Sequence, residues 1–173
     1  MSGAGKSSVG SRLCARIKSV HPNTLIIDGD ELRAAIAPDL AYTIEDRRQS
    51  EARRSKLCKY LSDQGMYVIC SGLSNHPEWR IWCKDQISEY FEVFLRAPLA
   101  TLQQRDHKGI YKETPDNQPQ NVVGLDIPFI PPADPDLLVD NTGTQSIDEI
   151  AGLIMQRLKQ KYAHFDLTTT DRE

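Results

Sequence analysis

Apolar residues recur at helical spacing in several parts of the chain. Near the amino end, Val9, Leu13, Ile17 and Val20 lie four, four and three positions apart, the pattern of a helix with one face packed on a sheet. This pattern predicts a first helix over about residues 6–20. Similar spacing, a capping-box pair at Thr43 and Asp46, and a proline before residue 99 predict later helices at about 44–64, 78–89, 99–105 and 146–162.

Short, continuous apolar runs alternate with these helices. They lie at residues 24–30, 66–72, 90–95 and 136–140. Buried parallel strands have this composition, and strands that alternate with helices indicate an α/β fold, here a three-layer parallel sheet with helices on both faces. Ligands of such sheets bind beyond the carboxyl ends of the strands, so we expect the functional residues at that edge.

Composition indicates one ordinary globular domain. The 173 residues are 39% hydrophobic and 26% charged, and we expect a domain at 1–162 followed by a polar tail at 163–173. The net charge of −3 argues against nucleic acid as a partner. The four cysteines form no C-x-x-C pair, and no apolar run is as long as a membrane span, which favours a cytoplasmic protein without a membrane partner.

The strongest motif is the run of small residues before the first helix. Residues 2–7 match the phosphate-binding pattern G-x-x-x-x-G-K-[ST] except for its first glycine, which would immediately precede Met1. Backbone N–H groups of such a loop surround a phosphate, with the lysine at the β- and γ-phosphates and the serine at Mg²⁺. The sequence therefore predicts an ATP site formed by Ser2, Gly3, Ala4, Gly5, Lys6, Ser7 and Ser8. The alternative is a small-residue arm that only caps a helix.

A buried central strand should precede a loop of this kind. The sequence offers no residues for it, so we expect the first strand of the fold to be missing and the start to be truncated or misassigned.

Two carboxylates, Asp28 and Asp30, follow the first predicted strand and are separated by one glycine. We expect one to organise Mg²⁺ and the other to accept the proton of an attacking hydroxyl group. The alternative is a turn in which Asp30 caps a short helix at 31–36.

The segment from residue 105 to 135 has a different composition. It holds six of the ten prolines, and Arg105, Lys108 and Lys112 come early in it. No second domain follows, so a lid that closes over the site and excludes water explains it better than a linker.

Taken together, these segments resemble the adenylylsulfate (APS) kinases, P-loop enzymes that move the γ-phosphate of ATP to the 3′-hydroxyl of adenosine 5′-phosphosulfate in sulfate assimilation. The resemblance extends over about residues 1–158. Its ordered blocks are residues 2–7, 28–33, 45–48, 92–99, 105–112, 124–128 and 131–132.

The resemblance implies roles for individual residues. Asp30 would be the base or would organise the metal held by Ser7 and Asp28, while Arg33 and Arg47 would hold the phosphosulfate of the acceptor. Arg105 would contact the nucleotide. Acceptor binding would further involve Tyr42, Ser50, Leu73, Ser74, Lys108 and Val122. The implied cofactor is Mg²⁺, and the partners are ATP and a small nucleotide, with homodimerisation left open.

The differences from the family pattern lie on the acceptor side. Ser50 replaces an asparagine, residues 73–76 replace an Ile-Ser-Pro-aromatic segment, and Val122 replaces a lid phenylalanine. Loss of one base–aromatic stack costs about 1–3 kcal/mol, enough to weaken binding or to favour another base. A kinase of another modified nucleotide, such as a cytidine diphosphate derivative, is therefore an alternative. A non-catalytic nucleotide-binding module is another.

Overall fold

The computed structural model describes residues 1–106, 109–111, 120–163 and 165. Helices and strands alternate along the chain, and every element named above is present with boundaries shifted by a few residues. The helices are α1 (Lys6–Lys18), α2 (Gly29–Ile36), α3 (Ile44–Asp63), α4 (Pro77–Gln86), α5 (Leu99–Gln104) and α6 (Ile147–Lys161). The strands are β1 (Thr24–Asp28), β2 (Tyr67–Ser71), β3 (Val93–Arg96) and β4 (Leu137–Asp140).

Side-chain caps fix where the helices begin. Thr43 accepts a hydrogen bond from the Asp46 backbone N–H at the start of α3, as predicted. At α2 the cap is Asp28 and not Asp30, because the helix begins at Gly29 and the Asp28 carboxylate accepts from the backbone N–H groups of Asp30 and Glu31. Asp30 therefore lies in the first turn of α2.

The strands form two parallel pairs. β1 pairs with β2 from Thr24 opposite Tyr67 to Asp28 opposite Ser71, and β3 pairs with β4. Within the described part of the chain, no hydrogen-bonded ladder joins β2 to β3. The parallel strands are therefore hydrogen-bonded as two separate pairs among the described residues.

Helices α1 and α6 hold the two pairs together through a shared hydrophobic core. Val9, Leu13 and Ile17 on one face of α1 pack with Leu95 and Val139 from the second strand pair. Further members of this core are Ile150, Ile154 and Phe165, with Tyr67, Ile69 and Val93 packed against them. Phe165 is buried, whereas a loose polar tail from residue 163 stays a prediction, since 164 and 166–173 lie outside the described residues.

The carboxyl ends of the strands meet the start of α1 at one edge. The close approach of α1 to β2 requires Gly10, because a Cβ there would lie 1.9 Å from the Ser71 Oγ. The Ser71 hydroxyl donates to the Lys6 carbonyl oxygen at 3.1 Å. This contact fixes the start of α1 against the end of β2.

Helices of the described residues are all too short or too polar to cross a lipid bilayer.

Candidate functional site

The phosphate-binding loop adopts the backbone conformation that its glycines allow. Gly3 and Gly5 have φ angles of +74° and +89°, in the left-handed region that side chains disfavour. The buried Asn141, just after β4, donates its amide to the Ala4 carbonyl oxygen at 3.0 Å. A Cβ on Gly5 would lie 2.8 Å from the same amide nitrogen. Asn141 therefore both supports the loop and excludes a larger residue from it.

Two further contacts hold the beginning of the loop. The Lys6 Nζ donates to the Met1 carbonyl oxygen at 2.7 Å, and the Tyr111 hydroxyl donates to the Ser2 carbonyl oxygen at 3.0 Å. Tyr111 is itself fixed by Asp106, whose carboxylate accepts from the backbone N–H groups of Ile110 and Tyr111. Burial raises the pKa of the Tyr111 hydroxyl, so it stays a donor at neutral pH.

Ser7 and Asp28 form the polar pair expected at a magnesium site. The Ser7 hydroxyl donates to the Asp28 Oδ2 at 2.5 Å, while Oδ1 caps α2. A hydroxyl and a carboxylate are oxygen ligands suited to Mg²⁺, which usually keeps several waters and takes the rest of its ligands from the phosphates. Among the described residues, no three or more Asp, Glu, His or Cys side chains converge as a metal cage.

A cavity of about 1010 Å³ brings most of the predicted site residues together. The phosphate-binding loop and the end of β1 line one part of it. The rest is lined by residues from α3, the segment after β2, the lid, the loop after β4 and the start of α6. The predicted residues that line it are Ser2, Gly3, Gly5, Lys6, Ser7, Ser8, Asp28, Asp30, Tyr42, Arg47, Leu73, Arg105 and Val122.

Four predicted residues lie outside the cavity lining. Ala4 and Ser50 are buried, and the Ser74 hydroxyl donates to the Glu51 carboxylate at 3.3 Å. The Arg33 guanidinium donates to the Ala41 carbonyl oxygen at 2.6 Å. Lys108 falls outside the described residues.

Two arginines contact a tyrosine ring in the part of the site that the family resemblance assigns to the acceptor. The Arg33 Cζ lies 4.9 Å and the Arg47 Cζ 5.2 Å from the centroid of the Tyr42 ring. Arg47 also donates to the Asn121 carbonyl oxygen at 2.7 Å, which connects α3 to the lid. Burial, followed by the positive charge of Arg33, lowers the pKa of Arg47, and a guanidinium keeps its charge at neutral pH despite such a shift.

Arg105 lies where the lid meets the loop after β4. A Cβ on Gly143 would be 2.8 Å from the Arg105 Nη2, and a Cβ on Gly3 would be 3.8 Å from the Arg105 Cβ. The guanidinium thus lies beside Gly143, and the base of the side chain lies beside the phosphate-binding loop.

Comparison with known proteins identifies the family of this chain. A family model described as adenylylsulphate kinase matches residues 1–140. The chain belongs to the adenylylsulphate kinase family. Its fold is that of the P-loop kinases of this family, as predicted.

Two related sequences and one solved structure show what this chain is similar to. The chain is 34% identical to a cytidine diphosphoramidate kinase of Campylobacter jejuni, over 91% of this chain and 92% of the relative. It is 32% identical to an adenylyl-sulfate kinase of Gloeothece citriformis, over 92% of this chain and 90% of the relative. The Mycobacterium tuberculosis APS kinase, solved with AMPPNP and APS, superposes with a TM-score of 0.82 at 30% identity, covering 92% of this chain and 93% of that one. The names of these relatives thus refer to kinases with two different acceptors.

Several residues that shape the site of this adenylylsulphate kinase family member were not predicted. Asn141 and Tyr111 hold the phosphate-binding loop, and Arg54 of α3 donates to the Leu73 carbonyl oxygen at 2.8 Å. Asn141 had a usable signal, because it directly follows a strand at the edge where ligands bind. Tyr111 and Arg54 had no usable sequence signal, since their hydrogen-bond partners are distant along the chain.

A buried carboxylate also organises the segment after β2. Glu51 on α3 accepts from the backbone N–H groups of Asn75 at 2.9 Å and His76 at 3.2 Å. Asn75 in turn donates its side-chain amide to the Pro128 carbonyl oxygen and accepts from the Ile130 N–H. Glu51 and Asn75 thereby connect α3 and the segment after β2 to residues 128–130.

Proposed function

We propose that this chain is an ATP-dependent adenylylsulfate kinase that transfers the γ-phosphate of ATP to the 3′-hydroxyl of adenosine 5′-phosphosulfate. The observation that carries the proposal is a single cavity in which the phosphate-binding loop and Asp30 face Tyr42 and Arg47. Donor and acceptor would meet there with the carboxylate between them. Membership of the kinase family supports phosphoryl transfer more broadly.

On the donor side, the start of α1 provides the electrostatics. Gly5 caps the helix without a side chain, so the first N–H groups and the helix dipole are directed at the triphosphate. Lys6 would exchange its contact with the Met1 carbonyl oxygen for the β- and γ-phosphates. Ser7 and Asp28 would hold Mg²⁺, which when bound neutralises charge on the transferred phosphate.

On the acceptor side, Asp30 would accept the proton of the 3′-hydroxyl as it attacks phosphorus. Arg47 would bind the anionic 5′ end of the acceptor, because a guanidinium donates to two oxygens at once. Arg33 would join it by giving up its contact with Ala41. The Tyr42 ring, which both guanidinium groups now contact, would then offer a face to the base.

A cytidine diphosphate derivative is a second candidate acceptor. Val122 lines the cavity at the position of the family's lid phenylalanine, so an adenine stacked on Tyr42 would lack its second aromatic partner. A pyrimidine base is smaller, so it would lose less stacking energy than adenine when valine stands in place of the phenylalanine. The similarity to a cytidine diphosphoramidate kinase supports the same candidate.

The test is ADP release with Mg²⁺-ATP and each acceptor, with Val122→Phe as the matched variant. We expect turnover with adenylylsulfate, and we expect Val122→Phe to lower its KM roughly 5- to 150-fold, the equivalent of about 1–3 kcal/mol of stacking. Turnover with cytidine diphosphoramidate alone would replace the first candidate by the second. Absence of transfer to either acceptor would contradict both.

Asp30 and Lys6 give separate tests of the chemistry. We expect Asp30→Asn to abolish turnover and leave the Kd for ATP unchanged, because the carboxylate acts on the acceptor hydroxyl. Lys6→Ala should lower kcat at saturating ATP, since it removes charge stabilisation in the transition state. Glu31→Gln, one residue further along α2, is the control and should retain turnover. An active Asp30→Asn enzyme would remove Asp30 from the mechanism.

Cytoplasmic localisation and homodimerisation stay predictions of the sequence. Light scattering of the purified chain at several concentrations would show whether it forms homodimers.

A further inference from the structure

Arg54 differs from its neighbour Arg53 on α3. Both guanidinium nitrogens of Arg53 donate to the Asp39 carboxylate at 2.7 Å, which makes an ordinary surface ion pair. Within the described part of the chain Arg54 forms no ion pair, and its half-buried side chain donates to the Leu73 carbonyl oxygen instead. Removing a charge from water without a carboxylate partner is costly, so this placement needs another reason.

The Arg54 guanidinium lies against the backbone at the ends of β1 and β2. A Cβ on Gly72, the residue after β2, would be 2.8 Å from the Arg54 Nη1 and 3.0 Å from its Cζ. A Cβ on Gly29, the residue after β1, would be 3.1 Å from the same Nη1. The Nη2 donates to the Leu73 carbonyl oxygen at 2.8 Å. One planar group therefore contacts both chain segments just beyond their ladder.

Gly72 is required by this contact and not by its own backbone. Its φ angle lies outside the left-handed region, which among the glycines includes Gly3 and Gly5. The three nearest atoms that its Cβ would meet all belong to Arg54. The sequence thus leaves out a side chain at the place where the guanidinium lies.

The contacted segments carry the groups to which the proposed function gives the chemistry. Gly29 lies between Asp28 and Asp30, and Leu73 lines the same cavity as both carboxylates. The ladder between β1 and β2 ends where Asp28 pairs with Ser71. Beyond that pair the two segments need other contacts to keep their relative position, and Arg54 provides one.

We propose that Arg54 is a positioning residue of the kinase reaction, which holds the carboxylates on either side of Gly29 in place relative to the cavity wall at Leu73. This inference rests on the proposed function, in which Asp28 binds Mg²⁺ and Asp30 accepts the proton. Arg54 is absent from the described residues that line the cavity, so it acts through the backbone that it contacts. A guanidinium suits this task, because its planar fork packs on backbone and donates in a fixed direction, which an ammonium group cannot do.

The experiment measures Arg54→Met and Arg54→Lys in the full chain, with Arg53→Met as the matched control. We expect Arg54→Met to lower kcat about 10- to 100-fold, the usual effect of removing a group that orients a ligand. Arg54→Lys keeps the charge without the fork and should recover only part of kcat. The Kd for ATP without Mg²⁺ should not change, because Asn141 and Tyr111 hold the phosphate-binding loop.

Gly72→Ala tests the same contact from the other side. Its Cβ would displace the guanidinium, so kcat should fall as it does in Arg54→Met. Combining Gly72→Ala with Arg54→Met should lower kcat no further than either change alone, because both remove one contact. Effects that multiply in the double variant would contradict the shared cause.

Amide hydrogen exchange without substrates separates this inference from the proposed function. In Arg54→Met we expect faster exchange at residues 29–31 and 72–75 and unchanged exchange at residues 2–7, whereas Arg53→Met should match the original chain at all three. If the original chain transfers phosphate to neither acceptor, the proposed function fails, and the exchange rates still test what Arg54 holds in place.

Three results would overturn the proposal. Equal kcat in Arg54→Met and Arg53→Met would remove Arg54 from the reaction. A parallel loss of ATP binding and kcat, or failure of both Arg54 variants to fold, would assign the residue to general stability. Unchanged exchange at residues 29–31 and 72–75 would show that these segments keep their position without it.

Discussion

Replacing the buried Glu51 by alanine should destabilise the protein and distort its acceptor side. Only 3% of Glu51 is exposed, and its carboxylate accepts from the backbone N–H groups of Asn75 and His76 as well as from the Ser74 hydroxyl. In Glu51→Ala the two N–H groups lose their acceptor inside the protein. Each such group costs about 1–3 kcal/mol, so we expect the free energy of unfolding to fall by about 2–6 kcal/mol.

The assay is urea unfolding followed by circular dichroism. With a slope of about 2 kcal/mol per M, the loss corresponds to a midpoint lower by roughly 1–3 M. Glu51→Gln keeps one acceptor oxygen, so its free energy of unfolding should fall by less than that of Glu51→Ala. Glu45→Ala on the same helix is the control, because that side chain is 64% exposed and should change stability by at most about 0.5 kcal/mol. A Glu51→Ala midpoint equal to that of Glu45→Ala would refute the argument.

Two further predictions concern packing and pH. Gly10→Ala should lower the free energy of unfolding by about 1–3 kcal/mol, because its Cβ would meet the Ser71 Oγ at 1.9 Å. In Gly152→Ala the new Cβ would face only the tip of an arginine side chain at 3.4 Å, so this control should be neutral or stabilising. Thermal unfolding of the two variants would compare their stabilities. Arg12 lowers the pKa of Asp148 through a hydrogen bond, so the folded state favours the carboxylate. The resulting stability is present above the unfolded pKa of about 3.9 and is lost as the pH falls through the lower folded value. Asp148→Asn should be less stable than the original chain at pH 7 and equal to it near pH 2, and a difference that persisted at pH 2 would contradict this cause.

The sequence predicts the elements well because their signals are local. The start of α3 depends on Thr43 and Asp46, three residues apart, and the ends of β1 and β2 coincide with polar turns. The phosphate-binding loop is local as well, since its backbone shape depends on Gly3 and Gly5. Such features need no knowledge of the rest of the fold.

Contacts between distant segments were not predictable in the same way. The Asn75 side chain meets Pro128 and Ile130 across more than fifty residues, and no periodicity marks such a pair. The stack of Arg33 and Arg47 on Tyr42 depends on side-chain rotamers. For this reason the sequence could group these residues as an acceptor site but could not assign their present partners.

The packing of α1 on α6 affects how the protein is made in the cell. Arg12 contacts Asp148, 136 residues further along the chain. At a translation rate of roughly 5–20 residues per second, about 7–27 s separate the synthesis of the two partners. During that time the apolar stripe of Val9, Leu13 and Ile17 has no α6 to cover it. The nascent chain therefore exposes an apolar surface, and with it a risk of aggregation, until its last helix has emerged.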